Sequence, residues 1–573
     1  QRGLADVLGG TGVWIVGLAA LGLWFGAAGL PRVPFEVRAR LRSIATSRGR
    51  WTLAITAGTL ASAWVISASL GRSPAVVSSR KPNVLLIAAD SLRPDRLDSR
   101  RAPNLAALAQ HATTFERAYT PLARTFPAWV SISTGKYPHH HGIRNMFPRW
   151  ETRERHFDTL AEHFGQAGYQ TAVVGDFAAD IFRRIDLGYQ EVRTPTFTMR
   201  ELVREHLLKN DPWLLAWVRG SFMRWLCPVV VEMHEATDPS AVTGEALDVI
   251  DRSRERPLFL TVFYSTPHFP YAAPGPHHRR FAVSGYAGPF RYAKADTLNA
   301  AEQLTAADIT QVRALYDGAV YATDEAIGEL LDALKKRGFF ENAIVVVTAD
   351  HGEQLYEYSR TQGHGDHLYG DESLRVPLVI ATPGLSRANR VAEPVSLVDL
   401  APTLLELAHV APLDGIDGRS LVTAMGGQLL PPKPIYSETG LWFTELIAEV
   451  PLRLRIPYPD LTLLTEVDRQ HGDQVVIRPR WQAVTTAAKH RMLQLGQWRL
   501  IYMPTRAGPV LTLCDLSSDL GCNEDASPAH PDRAAALKAL LWQLVADDPE
   551  VIRQGELLLP SVAATPPTLG APP

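Results

Sequence analysis

The sequence lacks a net charge of either sign. Its 58 lysine and arginine residues nearly balance its 60 aspartate and glutamate residues, so the formal net charge is -2 at pH 7. A protein that binds nucleic acid usually carries a basic excess that attracts the phosphate backbone. The even balance therefore argues against nucleic acid as a partner.

Charged residues are also absent from two apolar stretches, residues 7–31 and 51–71. Each could cross a bilayer as a helix, which takes about 20 apolar residues. Two buried core helices are the alternative, but neither stretch has a polar face, which favours transmembrane helices. The loop between them, residues 32–50, carries six arginines against one glutamate. The positive-inside rule places such a loop in the cytoplasm.

This topology predicts a multi-pass protein of the inner or plasma membrane, with the lipid bilayer as a partner. The rest of the chain would lie on the periplasmic or extracellular side. A cleavable signal peptide fits poorly, because there are two apolar stretches and no short basic segment before the first. Because the first residue is glutamine rather than methionine, we expect further residues upstream.

Cysteine is scarce, with three residues in the whole chain. Cys227 stands alone in an apolar run, whereas Cys514 and Cys522 lie close together in LCDLSSDLGC. The spacing fits two unrelated thiols as well as it fits a disulfide. An oxidising exterior compartment favours the disulfide.

What the sequence does contain is a series of apolar runs of strand length. Examples are PNVLLIAAD, YQTAVVGD, RPLFLTVFYS, NAIVVVTAD and VPLVIAT, with amphipathic stretches such as ATDEAIGELLDALKKRG between them. Such runs are typical of strands buried on both faces. Their alternation with helices predicts an α/β fold in which helices sandwich a mixed, mainly parallel sheet.

The character of the sequence changes after about residue 427, where alternating segments such as QWRLIYMP and PVLTLCDL predict a small antiparallel sheet with one covering helix. The predicted organisation is two transmembrane helices at 1–71, a linker at 72–82, the main α/β domain at 83–427, a C-terminal α+β subdomain at 428–548 and a proline-rich, disordered tail at 549–573.

Three polar residues stand where apolar runs end: Asp90, and Asp350 with His351 directly after it. Functional groups of α/β folds gather beyond the C-terminal ends of strands, and a charge there without a partner is costly. Either aspartate could instead cap the next helix. Together with the histidine, the two aspartates make a ligand set for a divalent cation such as Zn²⁺, Mn²⁺, Mg²⁺ or Ca²⁺.

Seven motifs then follow in a recognisable order: VLLIAADSLRPD, RTFPAWVSISTGKYPHHHG, FYSTPHFPY, VVTADHGE, HGDHLYGDESLRVPLVI, VSLVDLAPTLLELA and DGIDGRSL. In this order they resemble the sulfatase branch of the alkaline phosphatase superfamily over residues 82–425. The resemblance implies the alkaline phosphatase/sulfatase-like fold and a metal-dependent hydrolase or phosphotransferase that acts on ester bonds.

The nucleophile of that family is the first residue of a Cys/Ser-x-Pro-x-Arg motif that runs into Thr-Gly. The corresponding residue here is Thr125, with Pro127 at the proline position. Threonine cannot become the formylglycine that sulfatases need. Trp129 also replaces the supporting arginine, and Asp176 stands where a lysine would bind sulfate. These departures move the prediction from sulfate to phosphate.

The Thr-Phe-Pro segment resembles the nucleophile segment of nucleotide pyrophosphatase/phosphodiesterases, which hold two zinc ions. The segment that would supply the second zinc site has His268 and Ala272 at the ligand positions. One metal site therefore remains, formed by Asp90, Thr125, Asp350 and His351. A threonine nucleophile with one metal ion is similar to lipoteichoic acid synthases and lipid A phosphoethanolamine transferases, which are also membrane-anchored.

The resemblance suggests roles for further polar residues. His268 is the candidate to protonate the leaving oxygen. The candidate substrate-binding residues are His364, His141, Asn145 and Lys136. Lys136 could equally cap its helix. The other two histidines of the triplet, His139 and His140, are predicted to be partly exposed loop residues.

The sequence thus predicts a membrane-anchored enzyme that acts on phosphoryl or phosphodiester groups through a covalent Thr125 intermediate, by hydrolysis or by transfer. A lipid head group or an envelope glycan is the predicted substrate, because the anchor keeps the site near the membrane. A sulfuric ester hydrolase that uses Thr125 without formylglycine is the second hypothesis. An inactive scaffold or binding subunit of a membrane complex is the third.

Overall fold

The apolar runs of the sequence form the central strands of one large sheet. The computed structural model describes residues 81–196, 238–253, 255–294, 304–360, 362–383, 388–442, 456 and 459–561. The predicted transmembrane stretches, residues 7–31 and 51–71, lie outside the described residues. Among the helices that are described, none is both long enough and apolar enough to span a bilayer.

The strands follow in chain order. They are β1 (Asn83–Ala89), β2 (Thr113–Phe115), β3 (Ala118–Tyr119), β4 (Gln170–Gly175), β5 (Glu191–Arg193), β6 (Leu258–Tyr264), β7 (Ala343–Thr348), β8 (Gln354–Leu355), β9 (Gln362–Gly363), β10 (Arg375–Val376), β11 (Leu378–Ala381), β12 (Asn389–Val391), β13 (Val395–Ser396), β14 (Ile435–Glu438), β15 (Thr465–Asp468), β16 (Gln474–Ile477), β17 (Arg491–Leu495), β18 (Trp498–Thr505), β19 (Gly508–Asp515), β20 (Val551–Gln554) and β21 (Leu557–Pro560).

The α-helices are numbered in the same way. They are α1 (Pro103–Ala109), α2 (Thr125–Thr134), α3 (Pro138–His141), α4 (Trp150–Arg153), α5 (Leu160–Gln166), α6 (Ile181–Arg184), α7 (Pro239–Arg252), α8 (Ala306–Lys336), α9 (Leu400–Leu407), α10 (Val422–Met425), α11 (Leu461–Leu464), α12 (Pro479–Ala487) and α13 (Pro531–Leu544).

The large sheet has the strand order β12-β2-β11-β7-β1-β6-β4-β5. Its centre is parallel, because β1 pairs in parallel with β6 and β7, and β4 pairs in parallel with β5 and β6. β11 runs antiparallel to both β7 and β2. The sheet is therefore mixed and mainly parallel, as the sequence predicts.

The central strands are buried along their whole length, which explains why their sequences are continuously apolar rather than alternating. Helices supply the cover. The helices α7 and α8 contact each other, and α1 also contacts α8, while α2, α5 and α9 form a second group in mutual contact. Because β7, β1, β6 and β4 are parallel neighbours, their carboxyl ends meet at one edge of the sheet, and the site lies there.

The predicted C-terminal sheet is also confirmed. β14, β17, β18 and β19 form a four-stranded antiparallel sheet, and α13 contacts β17 and β18. Leu541 and Trp542 of α13 are buried with Tyr502 of β18 in one apolar cluster. Cys514 and Cys522 form the disulfide that the exterior topology favours, with 5.2 Å between their Cα atoms.

The prediction that the chain is disordered from residue 549 is wrong for the described part of that segment. β20 and β21 form an antiparallel hairpin. Val551 and Leu558 are buried in the apolar cluster that contains Trp542, and the backbone N–H of Leu558 donates a hydrogen bond to the Tyr502 hydroxyl at 3.1 Å. These contacts stabilise a segment whose sequence ends in a proline-rich run.

Candidate metal and nucleophile site

Two aspartates and a histidine meet where the central strands end. Asp90 directly follows β1, and Asp350 and His351 come two and three residues after β7, the neighbour of β1 in the sheet. All three side chains are completely buried. The Nε2 atom of His351 lies 3.4 Å from Asp90 Oδ1 and 3.4 Å from Asp350 Oδ2. Parallel pairing of β1 with β7 therefore brings together residues 260 positions apart in the chain.

Hydrogen bonding and burial determine the protonation state of His351. Its Nδ1 atom lies 3.0 Å from the Gly352 carbonyl oxygen, and a carbonyl only accepts, so Nδ1 carries the proton. Burial holds the pKa of His351 well below its usual range. The ring is therefore neutral, and the Nε2 lone pair points toward two carboxylates. This arrangement is repulsive unless a cation lies between the three groups.

The pKa values of the two carboxylates are both raised. Burial, with Asp350 and Glu353 nearby, raises the pKa of Asp90 well above its ordinary range, and burial raises the pKa of Asp350 to about 7. Among the described residues, the Oδ2 atoms of Asp90 and Asp350 accept no hydrogen bond. Two unsatisfied carboxylate oxygens and one imidazole nitrogen fit a divalent cation, since buried charges are normally paired or coordinate metals. The ion itself is not specified by this donor set.

Thr125 joins this cluster from the first position of α2. Its hydroxyl oxygen lies 3.5 Å from His351 Nε2, and the residue is 4 % exposed. Pro127 falls in the first turn of the helix, where the missing N–H costs nothing. Gly135 ends the helix with φ 66°, the left-handed conformation that glycine adopts readily. The sequence therefore builds a helix whose N-terminus presents a hydroxyl to the cluster.

Trp129, which replaces the expected arginine, has a packing role in the structure. Its ring meets the rings of Phe182 and Phe263 edge-on, with centroids 5.1 and 4.9 Å apart. The residue is completely buried. An indole in this apolar contact supplies no positive charge that could support a sulfate-processing aldehyde.

Two further histidines lie beside the candidate metal ligands. The ring of His364 stacks on that of His351, with centroids 4.0 Å apart, and the ring of His268 lies 5.2 Å from that of His364. His268 Nδ1 lies 2.7 Å from the Phe269 carbonyl oxygen, so this nitrogen is the protonated one. Two of the residues predicted for substrate handling, His268 and His364, thus lie beside the cluster.

Sequence reasoning did not identify Glu353 as a site residue, although it is the last residue of the motif VVTADHGE. One carboxylate oxygen accepts the Tyr271 hydroxyl at 2.6 Å. The other accepts the Ser91 hydroxyl at 3.1 Å and lies 2.7 Å from His364 Nδ1. Ser91 has φ 61°, a left-handed conformation that is uncommon outside glycine. Glu353 therefore holds the His364 ring in one orientation, with Nδ1 as the donor.

Arg124 is a second residue that sequence reasoning missed. It precedes Thr125 and is 6 % exposed. Its guanidinium donates to the carboxylate of Asp366 and to the Leu441 carbonyl oxygen, at 3.1 Å for the latter. Its charge helps to lower the pKa of His364, although burial is the larger cause. Arg124 therefore places a fixed positive charge near the histidine pair.

Asp176 follows β4 and completes the edge of the site. Its Oδ1 atom accepts a hydrogen bond from the Ser265 backbone N–H at 2.8 Å, and its charge is one of the smaller causes that raise the pKa of Asp90. A carboxylate, rather than a lysine, thus faces this side of the cluster. The arrangement is unfavourable for an anionic sulfate group unless a cation is bound.

The structure shows the positions or local contacts of the three remaining predicted residues. Lys136 is beyond the C-terminal end of α2, roughly 15 Å from Thr125 along the helix axis. His141 Nε2 lies 2.9 Å from Ser131 Oγ, and its Nδ1 accepts the Ile143 N–H at 3.1 Å. Both of its ring nitrogens are thus used inside the protein.

Asn145 is used in the same local way. Its side-chain oxygen accepts the Phe147 backbone N–H at 2.7 Å. The structure therefore brings together Thr125, the three metal-ligand candidates, His268 and His364. Contacts with substrate remain a prediction for Lys136, His141 and Asn145.

A fold and a site of this kind define an ester hydrolase of the alkaline phosphatase superfamily with a candidate set of metal ligands. The sulfatase family model matches residues 82–410, and the chain belongs to the sulfatase family. It is accordingly a hydrolase of the sulfatase/alkaline phosphatase superfamily with ester-bond chemistry.

The relatives include enzymes named for both sulfate and phosphorus chemistry. The chain is 27 % identical over 404 residues to the multifunctional alkaline phosphatase superfamily protein PehA of Trinickia caryophylli. This alignment covers 60 % of this chain and 76 % of PehA. It is 28 % identical over 361 residues to an ulvan-active sulfatase of Formosa agariphila, covering 60 % of this chain and 64 % of the relative.

Solved structures show the same fold. A phosphonate monoester hydrolase from Silicibacter pomeroyi superposes with a TM-score of 0.59 at 22 % identity, over 84 % of this chain and 99 % of that chain. A phosphonate monoester hydrolase of Agrobacterium radiobacter gives a TM-score of 0.58 at 20 % identity, over 84 % of this chain and 100 % of that chain. At these identities the similarity extends to the fold.

Proposed function

We propose that this hydrolase acts on phosphoryl or phosphodiester groups and forms a covalent phosphothreonine at Thr125. The observation that carries the proposal is the position of the threonine hydroxyl, 3.5 Å from His351 Nε2 and at the edge of the buried carboxylate cluster. A threonine at this position cannot be converted to formylglycine, and in this proposal its own hydroxyl is the attacking group.

One divalent cation would be held by the side chains of Asp90, Thr125, Asp350 and His351. When bound, such a cation lowers the pKa of a coordinated hydroxyl and neutralises charge on the oxygens of a phosphoryl group. The chain contributes the position of the hydroxyl, since α2 is buried along its whole length. The positive end of the helix dipole at Thr125 also favours the oxyanion form.

The reaction then has two steps. In the first step, the Thr125 proton is lost to solvent, the Oγ–P bond forms and the P–O bond to the leaving group breaks. His268 enters this step doubly protonated and gives the leaving oxygen its Nε2 proton, since its Nδ1 proton is held by the Phe269 carbonyl oxygen. In the second step, water or an acceptor hydroxyl attacks the phosphothreonine, its proton returns to His268 Nε2, the Oγ–P bond breaks, and Thr125 Oγ takes up a proton from solvent. His364, fixed by Glu353, would bind an oxygen of the transferred group.

Three features favour phosphorus over sulfur chemistry. Thr125 replaces the formylglycine precursor, Trp129 contributes packing where sulfatases have a supporting arginine, and Asp176 stands in place of the lysine that would bind sulfate. The second candidate function is hydrolysis of sulfuric esters by Thr125. It is supported by relatives that are named as sulfatases.

A direct comparison of substrates separates the two functions. The purified full chain would be assayed with bis-p-nitrophenyl phosphate, p-nitrophenyl phosphate and p-nitrophenyl sulfate in the presence of each candidate metal ion. We expect kcat/KM to be highest for a phosphorus substrate. A higher value for the sulfate ester would reverse the order of the two candidates.

We also propose that the enzyme is anchored in the inner or plasma membrane with its catalytic domain outside the cytoplasm, and that it acts on a lipid head group or an envelope glycan. The charge-free stretches 7–31 and 51–71 and the arginine-rich loop 32–50 support this proposal. Protease added to intact cells whose outer barrier has been removed should digest a C-terminal tag. Protection of the tag until the cells are lysed would contradict the orientation.

A further inference from the structure

We infer that His139, His140 and Asp547 form a second divalent-cation site, separate from the catalytic one and specific for a metal that accepts nitrogen ligands. Two of these residues belong to the histidine triplet, and the third follows α13 of the C-terminal subdomain. One ligand atom from each lies within 4.8 Å of the others. The sequence prediction of partly exposed loop histidines fails for His139, which is 1 % exposed.

His139 is the unexplained residue of the triplet. Neither of its ring nitrogens has a hydrogen-bond partner within the described part of the chain. Its ring packs edge-on against Tyr436 at 5.2 Å and lies parallel to Tyr137 at 5.8 Å. Burial lowers its pKa to about 4, so the imidazole is neutral. A buried neutral imidazole without hydrogen bonds loses its solvation and gains nothing in return, whereas a bound metal ion would use its lone pair.

His140 has the geometry of a metal ligand that is oriented by a second carboxylate. Its Nδ1 atom lies 2.8 and 2.7 Å from the two carboxylate oxygens of Asp417, so Nδ1 carries a proton. Its Nε2 atom faces Asp547 Oδ1 at 3.2 Å. Metal-binding histidines commonly donate their other N–H to a carboxylate in this way. A doubly protonated His140 between two carboxylates is the competing explanation, and the experiment below separates the two.

The donor set indicates the class of metal. Two imidazole nitrogens and one carboxylate oxygen suit Zn²⁺, with a water molecule as the fourth ligand, whereas Mg²⁺ and Ca²⁺ prefer oxygen ligands. The side chain of Asp547 is 70 % exposed, so an ion can reach the site from solvent.

The site would link two parts of the chain that are distant in sequence. Helix α3 follows α2, which begins with Thr125, and Asp547 belongs to the C-terminal subdomain. The neighbouring pair Arg144–Asp548, with N–O distances of 2.9 and 2.8 Å, crosses the same boundary. A bound Zn²⁺ would therefore stabilise the attachment of the C-terminal subdomain, while Thr125 of the catalytic cluster stands at the N-terminal end of α2.

The test is a zinc titration of the purified, chelator-treated full chain, followed by calorimetry and by elemental analysis after desalting. We expect the wild-type chain to bind one zinc ion more than Asp547→Ala or His140→Ala, and Asp350→Asn should retain the ion that these two variants lose. Asp532→Ala, which removes another exposed carboxylate in the first turn of α13, is the matched control and should bind as much zinc as the wild type.

A second measurement protects the test from variants that fold poorly. Zinc should raise the melting temperature of Asp350→Asn, whose catalytic site is impaired, and this rise should disappear in the double variant Asp350→Asn/Asp547→Ala. If Asp547→Ala binds as much zinc as the wild type, the site does not exist. If Asp547→Ala lowers the melting temperature equally with and without zinc, His140 forms only an ion pair and the inference is wrong.

Discussion

The cluster around His351 and the cluster around His140 share one geometry and differ in burial. In each, Nδ1 donates to an oxygen acceptor and Nε2 faces a carboxylate. His351 is completely buried and its pKa lies well below the usual range, so it cannot balance the carboxylates by taking up a proton. Hydrogen bonding to Asp417 raises the pKa of the more exposed His140. In the first cluster a metal ion therefore competes with protons on the aspartates, whose pKa values are raised, whereas in the second it competes with a proton on His140.

The largest expected effect comes from removing the nucleophile of the buried cluster. Thr125→Ala should lower kcat by at least about a thousandfold, as expected when a nucleophile is lost. Thr134→Ala is the matched control, because it makes the same change at the other end of α2, where the hydroxyl donates to the Val130 carbonyl oxygen at 2.7 Å. Activity of Thr125→Ala close to that of Thr134→Ala would show that another group attacks the substrate.

Metal removal should reveal the charge of the buried cluster as a pH dependence of stability. The folded-state pKa of Asp350 is raised from 3.8 to about 7, so the folded state binds more protons than the unfolded state between these values. The contribution of Asp350 to the free energy of unfolding is full below pH 3.8 and is lost as the pH rises through about 7. The melting temperature of the chelated protein should therefore fall from pH 5 to about pH 8.

Two comparisons check the cause of this pH dependence. Added divalent metal should flatten the curve, because the cation replaces the proton as the counter-charge. Asp350→Asn should reduce the slope in the chelated protein, since the amide does not titrate. An unchanged slope in the variant would assign the effect to other groups.

A smaller effect is expected for the residue that orients His364. Glu353→Gln keeps the shape of the side chain and an acceptor for Tyr271 but removes the charge that holds His364 Nδ1. We expect kcat to fall by about tenfold, the lower end for partners that orient site residues, with zinc stoichiometry unchanged. Glu357→Gln, four residues further along at the partly buried pair with Arg93, serves as the control. Loss of bound metal in Glu353→Gln would instead make Glu353 a ligand.

The smallest effect is expected at the exposed cluster. Asp547→Ala should leave kcat/KM within about twofold of the wild type and lower the melting temperature in zinc by roughly 1 to 3 °C, because one of several contacts with the C-terminal subdomain is lost. A large loss of activity with normal folding would mean that the two clusters are coupled through α2.

The sequence predicts the buried cluster well because its residues stand at the ends of apolar runs. Parallel strands place such positions at one edge, so Asp90, Asp350 and His351 could be grouped before the structure was known. The motif order then added Thr125. The central sheet and the antiparallel C-terminal sheet follow from the same periodicity, and both are present in the structure.

The rest depends on packing between distant segments. The role of Glu353 requires Ser91 and Tyr271, which lie 262 and 82 positions away along the chain. The burial of His139 requires Tyr436 of β14. The hairpin at residues 551–560 is ordered by contacts with Trp542 and Tyr502 rather than by its own sequence. Local patterns contain no information on these contacts.

The most direct test of the central claim is to trap the covalent intermediate. The full chain would be mixed with bis-p-nitrophenyl phosphate, quenched in acid within the first turnover, digested and mapped by mass spectrometry. The account predicts one substrate-derived phosphoryl adduct, located on Thr125 and absent from Thr125→Ala. An adduct on another residue, or an adduct that persists in Thr125→Ala, would contradict it.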